Sequence, residues 1–336
     1  VKGSAMTDPS RTPATSRPSQ GSPFHPGELA VQDRVGFREK IDRYGRTAIR
    51  TYMPEQHRVF FGQLPFFVVG TAEISGQVWA SMLAGEPGFI QSPNHKLLTI
   101  AAMPGFGDPG GAGLYTGASV GGLGIELHTR RRNRVNGRVS LDPGGTGFSL
   151  SVDQSFGNCT KYITPRRPTF VRQSSPPTDA CFHHFTTFDA LTEHIIDQAD
   201  TFFIASRRID GHAGRSQDAD VSHRGGPAGF LHRQNDRTLI WPEYRGNFFF
   251  NTVGNLVLNP RCGILVVDFA RGDSVQMTGQ AEVVWEWNEA DPALRGAQRL
   301  VKFELERGVR IDGGYPFSWD AQPAVGTGAP TLDTIS

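Results

Sequence analysis

The residues best suited to chemistry lie together in one short stretch of this chain. Ser222, His223 and Arg224 come directly before Gly225 and Gly226. An arginine fork makes two charged hydrogen bonds to a phosphate, and a hydroxyl and nearby backbone N–H groups add further donors. This combination predicts a site for an anionic, phosphorylated ligand. The alternative, a solvated basic loop between strands, stays open from the sequence.

A second set of donors follows within thirty residues of the first. It comprises Arg245, Asn247, Asn251 and Thr252, separated by glycine and phenylalanine. Guanidinium, amide and hydroxyl groups bind phosphate oxygens in the same way as the first set. We therefore expect these four residues to contact the same cofactor as Ser222, Arg224 and Gly225.

Arginines 130 to 132 form a third basic group, in the first half of the chain. In a strand, Arg130, Arg132 and Arg134 would share one face, and Arg131 would lie on the other. Such a basic run could contact an anionic ligand. A charged outer strand face explains the run equally well.

His223 is the candidate catalytic residue, because an unperturbed imidazole titrates near neutrality and can donate a proton. A histidine that only hydrogen-bonds in the cavity wall is the simpler account. Cys159 has Lys161 nearby but no CxxC partner, which favours a structural cysteine. His183-His184 has no second pair of ligands in sequence, so we predict no metal site.

Composition limits what such a site can serve. The chain has 336 residues and a net charge of +1, which predicts neither nucleic-acid nor membrane binding. Three cysteines are too few for a disulfide framework, so a reduced cytoplasm is the expected compartment. Forty glycines and 23 prolines fit a loop-rich β protein.

Short apolar runs separated by glycine, proline, asparagine and aspartate predict strands over most of the chain. Helices are expected from Glu28 to Tyr44, ending at Gly45, and from Thr187 to Asp200; Leu294 to Glu306 fits a helix or a strand. The predicted organisation is a disordered tail (1–23), a first half (24–164), a proline-rich connector (165–186), a second half (187–325) and a tail (326–336).

The two halves repeat each other in order. Residues 66–69 correspond to 202–205, residues 124–127 to 263–266, and residues 135–137 to 277–279. This repeat predicts two related barrels packed as an internal pseudo-dimer. Ser222, His223 and Arg224 correspond to residues 81–83, which are Ser, Met and Leu, so we expect unequal sites and one cofactor per chain.

Several motifs together resemble a known family. They are Phe24-His25-Pro26-Gly27-Glu28, residues 129–132 with Val135-Asn136-Gly137, residues 154–162, residues 222–226, and residues 246–256. The chain resembles the pyridoxamine 5′-phosphate oxidase-like flavin-nucleotide-binding proteins over about Phe24 to Phe317. The resemblance implies a mainly β (α+β) fold of tandem split β-barrels with flanking helices, and FMN at the seam between the barrels.

The resemblance also assigns site residues and departures from the family pattern. The oxidases' phosphate-binding Ser-Arg-Lys run falls on Phe250, Asn251 and Thr252, so the lysine is lost here. Their flavin-contacting glutamine falls on Ser274, with Gln276 two residues on, and the same count in the first half falls on Arg132. These departures argue against pyridoxamine phosphate oxidation itself.

The resulting hypothesis is an FMN-dependent oxidoreductase that acts on a small organic substrate with NAD(P)H or dioxygen as partner. The alternatives are a non-catalytic flavin- or haem-handling protein and a deazaflavin-dependent reductase; FAD is a further cofactor alternative. A homodimer is expected, because the family pairs its barrels through large apolar faces.

Overall fold

The computed structural model describes residues 21–171, 181–208, 219–288 and 294–321. Within these ranges the chain forms two large antiparallel sheets and one small sheet. The first large sheet consists of β1 (Phe66–Ala72), β2 (Val78–Ala84), β3 (Ile90–Asn94), β4 (Leu97–Ile100), β5 (Ser119–Glu126), β6 (Arg131–Leu141) and β7 (Phe148–Gly157). It belongs entirely to the first half of the chain.

The second large sheet consists of β9 (Phe182–Phe185), β10 (Thr201–Arg207), β11 (Ala219–Gly225), β12 (His232–Arg233), β13 (Thr238–Glu243), β14 (Arg261–Val267), β15 (Ser274–Val284) and β16 (Arg299–Ile311). The small sheet pairs β8 (Arg166–Phe170) with β17 (Phe317–Ala321).

The two large sheets have the same strand order. It is β2-β1-β5-β6-β7-β4-β3 in the first and β11-β10-β14-β15-β16-β13-β12 in the second. Each also has a register shift at the corresponding place, after Asn136 in β6 and after Thr278 in β15. The expected fold class, mainly β with tandem split barrels, is confirmed.

Alternating side chains of β1 serve two different cores. Phe67 and Val69 pack inside the first sheet, whereas Phe66 and Val68 join a cluster between the sheets. Phe203 of β10 lies in that shared cluster. Burying apolar surface stabilises by about 25 cal/mol per Å², so this seam holds the two halves against each other.

One glycine sets how closely the halves approach. A Cβ at Gly121 of β5 would lie 2.5 Å from the Cα of Asp220 in β11, where no side chain fits. The backbones of β5 and β11 are therefore in direct contact. Because β6 pairs with β5, this contact brings the arginines of β6 beside β11.

The helices are α1 (Pro26–Arg34), α2 (Arg38–Ala48), α3 (Glu55–Gly62), α4 (Ala190–Gln198) and α5 (Asn251–Leu258), with a 3₁₀ turn at Pro109–Gly113. The single helix expected from Glu28 to Tyr44 is wrong. The chain breaks between α1 and α2 at Gly36, whose φ is +74°. Gly45 lies inside α2 rather than after its end.

The helix expected from Thr187 is confirmed as α4, where the Asp189 carboxylate caps the first turn by accepting from the Thr192 N–H at 2.7 Å. The segment from Leu294 to Glu306 is a strand over most of its length, within β16. Sequence reasoning did not predict α3 or α5.

The connector predicted at 165–186 contains two strands where it is described. It contributes β8 to the small sheet and β9 to the edge of β16, while residues 172–180 lie outside the described ranges. Most of the first tail (1–20) and all of the last (326–336) also lie outside them. None of the helices in the described ranges combines the length and apolar character needed to span a bilayer.

Candidate functional site

A cavity with about 800 Å³ of empty volume, counting its open mouth, lies where the two halves meet. The first half contributes Arg132, Arg134, Asn158, Cys159, Lys161 and Tyr162. The second half contributes Ser222–Gly225, Phe230, Pro242–Tyr244, Gly246–Phe248, Phe250–Val253 and Arg299.

The lining carries a strong positive charge. Five of its side chains are cationic (Arg132, Arg134, Lys161, Arg224 and Arg299), and Glu243 is the only acidic residue among those that line it in the described ranges. Converging cations in a partly enclosed space raise the local concentration of anions. The cavity therefore suits an anionic ligand.

Strand alternation selects which arginines of β6 reach the cavity. Arg132 and Arg134 line it, whereas Arg131 lies on the other face with its guanidinium 4.4 Å from the Phe60 ring centroid. Arg130 precedes the strand in a left-handed turn with φ of 58°. The predicted alternation thus holds for Arg132 and Arg134, the two arginines of β6 that line the cavity.

Arg134 ties the halves together. Its Nη1 donates to Asp220 Oδ1 at 2.7 Å and to Asn251 Oδ1 at 2.9 Å, and its Nη2 donates to Ser222. Thr252 Oγ1 also donates to Ser222 Oγ at 2.9 Å. This buried network fixes β6, β11 and the start of α5 relative to one another.

Glu28 of α1 joins the same network through Asn251. Asn251 Nδ2 donates to Glu28 Oε1, and the backbone N–H of His25 donates to Glu28 Oε2 at 2.9 Å. Burial raises the pKa of Glu28 to about 8, so at neutral pH the carboxyl is mostly protonated. The Phe24–Glu28 motif therefore positions α5 rather than contacting a ligand.

His223 is held in one tautomer by an arginine of the other half. Arg132 Nη1 lies 3.0 Å from His223 Nδ1, and since a guanidinium only donates, Nδ1 must accept. The ring hydrogen is then on Nε2, which is buried and has no partner within the described residues. Burial, helped by Arg132 and Arg224, holds the pKa of His223 well below its usual range.

The expectation that His223 titrates near neutrality is therefore corrected: the ring is neutral and offers a fixed Nε2–H. Arg132 itself also donates from Nε to the Cys159 carbonyl oxygen at 2.6 Å. Burial lowers the pKa of Arg132 to about 9, with Arg134 adding repulsion, which leaves it charged at neutral pH.

Arg224, the predicted phosphate ligand, lines the cavity but already has a counter-ion. Its Nε lies 2.5 Å from Glu243 Oε1, which also accepts from Trp241 Nε1 at 3.2 Å. The alternative partner Asp220 is taken by Arg134. Glu243 offsets the charge of Arg224, so a phosphate needs another cation.

Arg299 is a further cation of the cavity, and sequence reasoning missed it. It is buried at the start of β16, and its guanidinium stacks 4.9 Å from the Phe250 ring centroid and 5.4 Å from that of Trp285. It makes no salt bridge with a carboxylate of the described residues, although the nearby Glu243 carboxylate opposes the lowering of its pKa by burial, and its Nε has no hydrogen-bond partner there. Nothing in the local sequence marked it, because only sheet register places it opposite Glu243.

The N-terminus of α5 opens into the cavity. The preceding residue, Phe250, is left-handed with φ of 61° and makes no side-chain cap, so the first N–H groups of α5 lack that partner. Asn251, Thr252 and Val253 of the first turn all line the cavity. Free N–H groups and the helix dipole together favour a bound anion.

The remaining predicted residues divide into two groups. Gly225 and Asn247 line the cavity, as do Ser222, Asn251 and Thr252. Arg245 does not line it: its side chain is exposed, with its guanidinium 5.6 Å from the Phe248 ring centroid.

Ser274 and Gln276 lie elsewhere. Both are on β15, which faces β2 at the opposite seam, and Gln276 Nε2 donates to the Ala80 carbonyl oxygen at 3.0 Å. The expectation that they share a site with Arg224 is corrected. The reason is the repeat itself: β15 is the counterpart of β6, so its side chains reach the other seam.

Comparisons with known proteins give a family match within the second half of the chain. Residues 188–308 match the sequence model of the pyridoxamine 5′-phosphate oxidase family. No curated protein matches the chain.

Solved structures give weaker likenesses. HupZ of Group A Streptococcus is 18% identical, with 38% of this chain and 98% of that chain covered and a TM-score of 0.30. An FAD-binding protein of Mesorhizobium loti is 14% identical (39% and 99% covered, TM-score 0.26). An FMN-binding protein of Syntrophomonas wolfei is 10% identical (35% and 81% covered, TM-score 0.26). The match to the family model confirms the resemblance found in the sequence over residues 188–308 of the chain.

Proposed function

We propose that this chain binds a flavin nucleotide, FMN, in the cavity between its halves and acts as an oxidoreductase on a small organic substrate. The observation that carries the proposal is the cavity itself. It is lined by five cationic side chains and one carboxylate, and it meets the uncapped N-terminus of α5. The family match at residues 188–308 supports the same cofactor class.

The residues present fit a phosphate despite the missing family lysine. Arg299 is buried and makes no salt bridge in the described ranges, and Lys161 is an exposed cation at the same cavity. The first N–H groups of α5 add donors that no side chain caps. Arg299 and the start of α5 would hold the phosphate, because a buried arginine gives charged, bidentate hydrogen bonds.

The residues also fit a polar ring system. His223 presents a neutral Nε2–H that has no partner among the described residues, and Arg132 prevents the ring from changing tautomer. Tyr162 and Tyr244 stack with ring centroids 5.1 Å apart at the same cavity. His223 would donate to a ring nitrogen or oxygen, and the tyrosines would supply flat apolar surface.

When bound, a flavin supplies hydride or single-electron transfer, and the protein contributes orientation and electrostatics. The buried Arg134–Ser222–Thr252 network fixes the cavity wall. The hydrogen bond from Arg132 to Nδ1 keeps the ring hydrogen of His223 on Nε2. NAD(P)H or dioxygen as electron partner belongs to this proposal, and a homodimer stays a prediction.

Haem binding is a second candidate, favoured by one observation. That observation is the cationic lining of the cavity; His223 would not be the metal ligand in its present tautomer, because Nδ1 accepts from Arg132 and Nε2 carries the ring hydrogen instead of a free lone pair. The same cationic lining would accept propionate groups.

The visible absorption spectrum of the purified protein, with mass spectrometry of the released cofactor, tests the proposal. Flavin bands and a released mass equal to FMN are expected. A Soret band would replace the proposal with haem binding, and a deazaflavin or FAD mass would correct the cofactor. A colourless protein that also fails to bind added FMN would refute it.

A further inference from the structure

A second cavity lies at the opposite seam, where β15 of the second half faces β2 of the first. It has about 650 Å³ of empty volume, counting its open mouth. Met82, Met103, Ile311 and Tyr315 form apolar parts of its wall, and Phe106 is an exposed aromatic residue beside it. The family assignment and the proposed FMN site leave this cavity without a role.

Hydrogen bonds identify it as the counterpart of the first cavity. Gln276 Nε2 donates to Ser81 Oγ at 3.1 Å and to Asp108 Oδ1 at 2.9 Å. Arg134 makes the matching pair of bonds, to Ser222 and Asn251. The strand registers agree, since Arg134 pairs with Leu123 and Gln276 with Leu265 in the two sheets.

Its charge is the reverse of that in the first cavity. By the same register, Ser274 replaces Arg132, Gln276 replaces Arg134 and Leu83 replaces Arg224. No arginine or lysine lines this cavity in the described ranges, and Asp108 is its one ionisable carboxyl group there. A phosphate in this cavity would lose its hydration beside the Asp108 carboxylate, with no cation to compensate. Phosphate binding would therefore be unfavourable.

The two carboxylate oxygens of Asp108 differ in their hydrogen bonding. Its Oδ1 accepts from Ser81 Oγ at 2.6 Å, from the Gly110 N–H at 2.8 Å and from Gln276. Its Oδ2 accepts no hydrogen bond from the residues that the structure describes. Burial raises the pKa of Asp108, and a cation at Oδ2 would counter that effect.

Ser274 supplies a second, independent feature of the same kind. It lines the cavity, it is only 1% exposed, and its Oγ makes no close hydrogen bond in the described ranges, although the buried Tyr315 hydroxyl interacts with it. A buried polar atom without a partner is costly, so a ligand that donates to it is stabilising. Together, Asp108 and Ser274 offer a donor-rich cation two acceptors in a mostly apolar space, beside the Tyr315 hydroxyl.

We propose that the second cavity binds a small organic amine, with its ammonium group on Asp108 and Ser274 and its apolar part against Met82, Met103 and Phe106. The proposal is independent of the FMN site. It implies that one duplicated seam has kept an anion site while the other has become a cation site.

Isothermal titration with benzylamine tests it, with benzyl alcohol and benzoate as matched probes. Benzylamine should bind at one site, at least about tenfold more tightly than benzyl alcohol, because a charge-assisted hydrogen bond is stronger than a neutral one. Benzoate should not bind there. Equal binding of amine and alcohol, or no saturable amine binding, would overturn the proposal.

Asp108→Asn is the decisive variant, since its amide oxygen can keep the three bonds at Oδ1 while Nδ2 replaces the acceptor Oδ2. It should remove the preference for the amine and leave benzyl alcohol binding unchanged. Undiminished benzylamine binding by this variant would contradict the proposed role of Asp108.

Two measurements on the unmodified protein keep the test valid if that variant does not fold. With ¹³C-methyl methionine labels, benzylamine should shift the Met82 and Met103 signals, and added FMN should not displace it. Unshifted signals, or competition with FMN, would place the amine elsewhere and reject the second site.

Discussion

Arg132 of the first half donates to Nδ1 of His223 in the second half, with 3.0 Å between the nitrogens. This bond crosses the seam and decides which ring nitrogen of His223 carries its hydrogen. It also sets a positive charge against the ring, which opposes protonation. A site residue of one half thus has its chemistry set by the other half.

The first prediction concerns that pair. His223 should stay neutral, with its hydrogen on Nε2, throughout pH 5 to 8. Arg132→Met should raise the pKa of His223, because a repelling charge is removed, and should mix the two tautomers. Histidine ¹⁵N chemical shifts report both changes. A wild-type His223 that titrates in this pH window would contradict the assignment.

The second prediction concerns Arg299. Arg299→Ala should weaken FMN binding about ten- to a hundredfold, as expected for the loss of a charged hydrogen bond. Riboflavin, which lacks the phosphate, should be nearly unaffected, and Arg299→Lys should recover only part. Fluorescence titration measures the affinities of the wild type and of both variants for FMN and riboflavin.

Arg245→Ala is the matched control, because this exposed arginine lies outside the cavity lining. It should bind FMN as the wild type does. Equal losses for FMN and riboflavin in the Arg299 variant would exclude a phosphate role.

The third prediction concerns Arg224. Because its guanidinium pairs with Glu243, Arg224→Ala should leave that buried carboxylate without its salt-bridge partner and destabilise the protein by about 1–3 kcal/mol. FMN and riboflavin should weaken alike. A change in thermal stability is the measurement, and the double variant with Glu243→Gln should restore most of it. Selective loss of FMN would instead return the phosphate role to Arg224.

The fourth prediction concerns Glu28 and pH. Its pKa is about 8 in the folded protein against an ordinary value of 4.5, so between these pH values the folded state holds a proton that the unfolded state releases. Glu28 therefore lowers stability as pH rises from 4.5 to 8. Glu28→Gln mimics the protonated acid and should make stability fall less steeply.

Urea unfolding of both proteins at pH 5 and pH 8 checks this, since their difference isolates Glu28 from other carboxyl groups. The variant should gain relative stability of a few kcal/mol at the higher pH. Parallel stability curves would show that Glu28 is ionised in the folded protein.

The sequence was sufficient for the strands, the fold class and most of the cavity. Glycine-punctuated apolar runs have few alternatives to a β meander, and Ser222, Arg224, Asn251 and Thr252 do line one cavity. The α5 helix was missed because its N-cap position holds a left-handed phenylalanine rather than a capping side chain.

What sequence reasoning could not supply depends on contacts between distant residues. Arg299 enters the site only through its register opposite Glu243. The neutral state of His223 needs Arg132, 91 residues away. Ser274 and Gln276 were placed in the wrong seam because local motifs do not show which half a strand faces.

The central claim is that the cavity lined by Arg224 and Arg299 holds one phosphorylated flavin per chain. Titration of the apo-protein with FMN and riboflavin tests this claim most directly. We expect one FMN per chain, bound about ten- to a hundredfold more tightly than riboflavin. Two equal FMN sites per chain, or equal affinity for FMN and riboflavin, would contradict it.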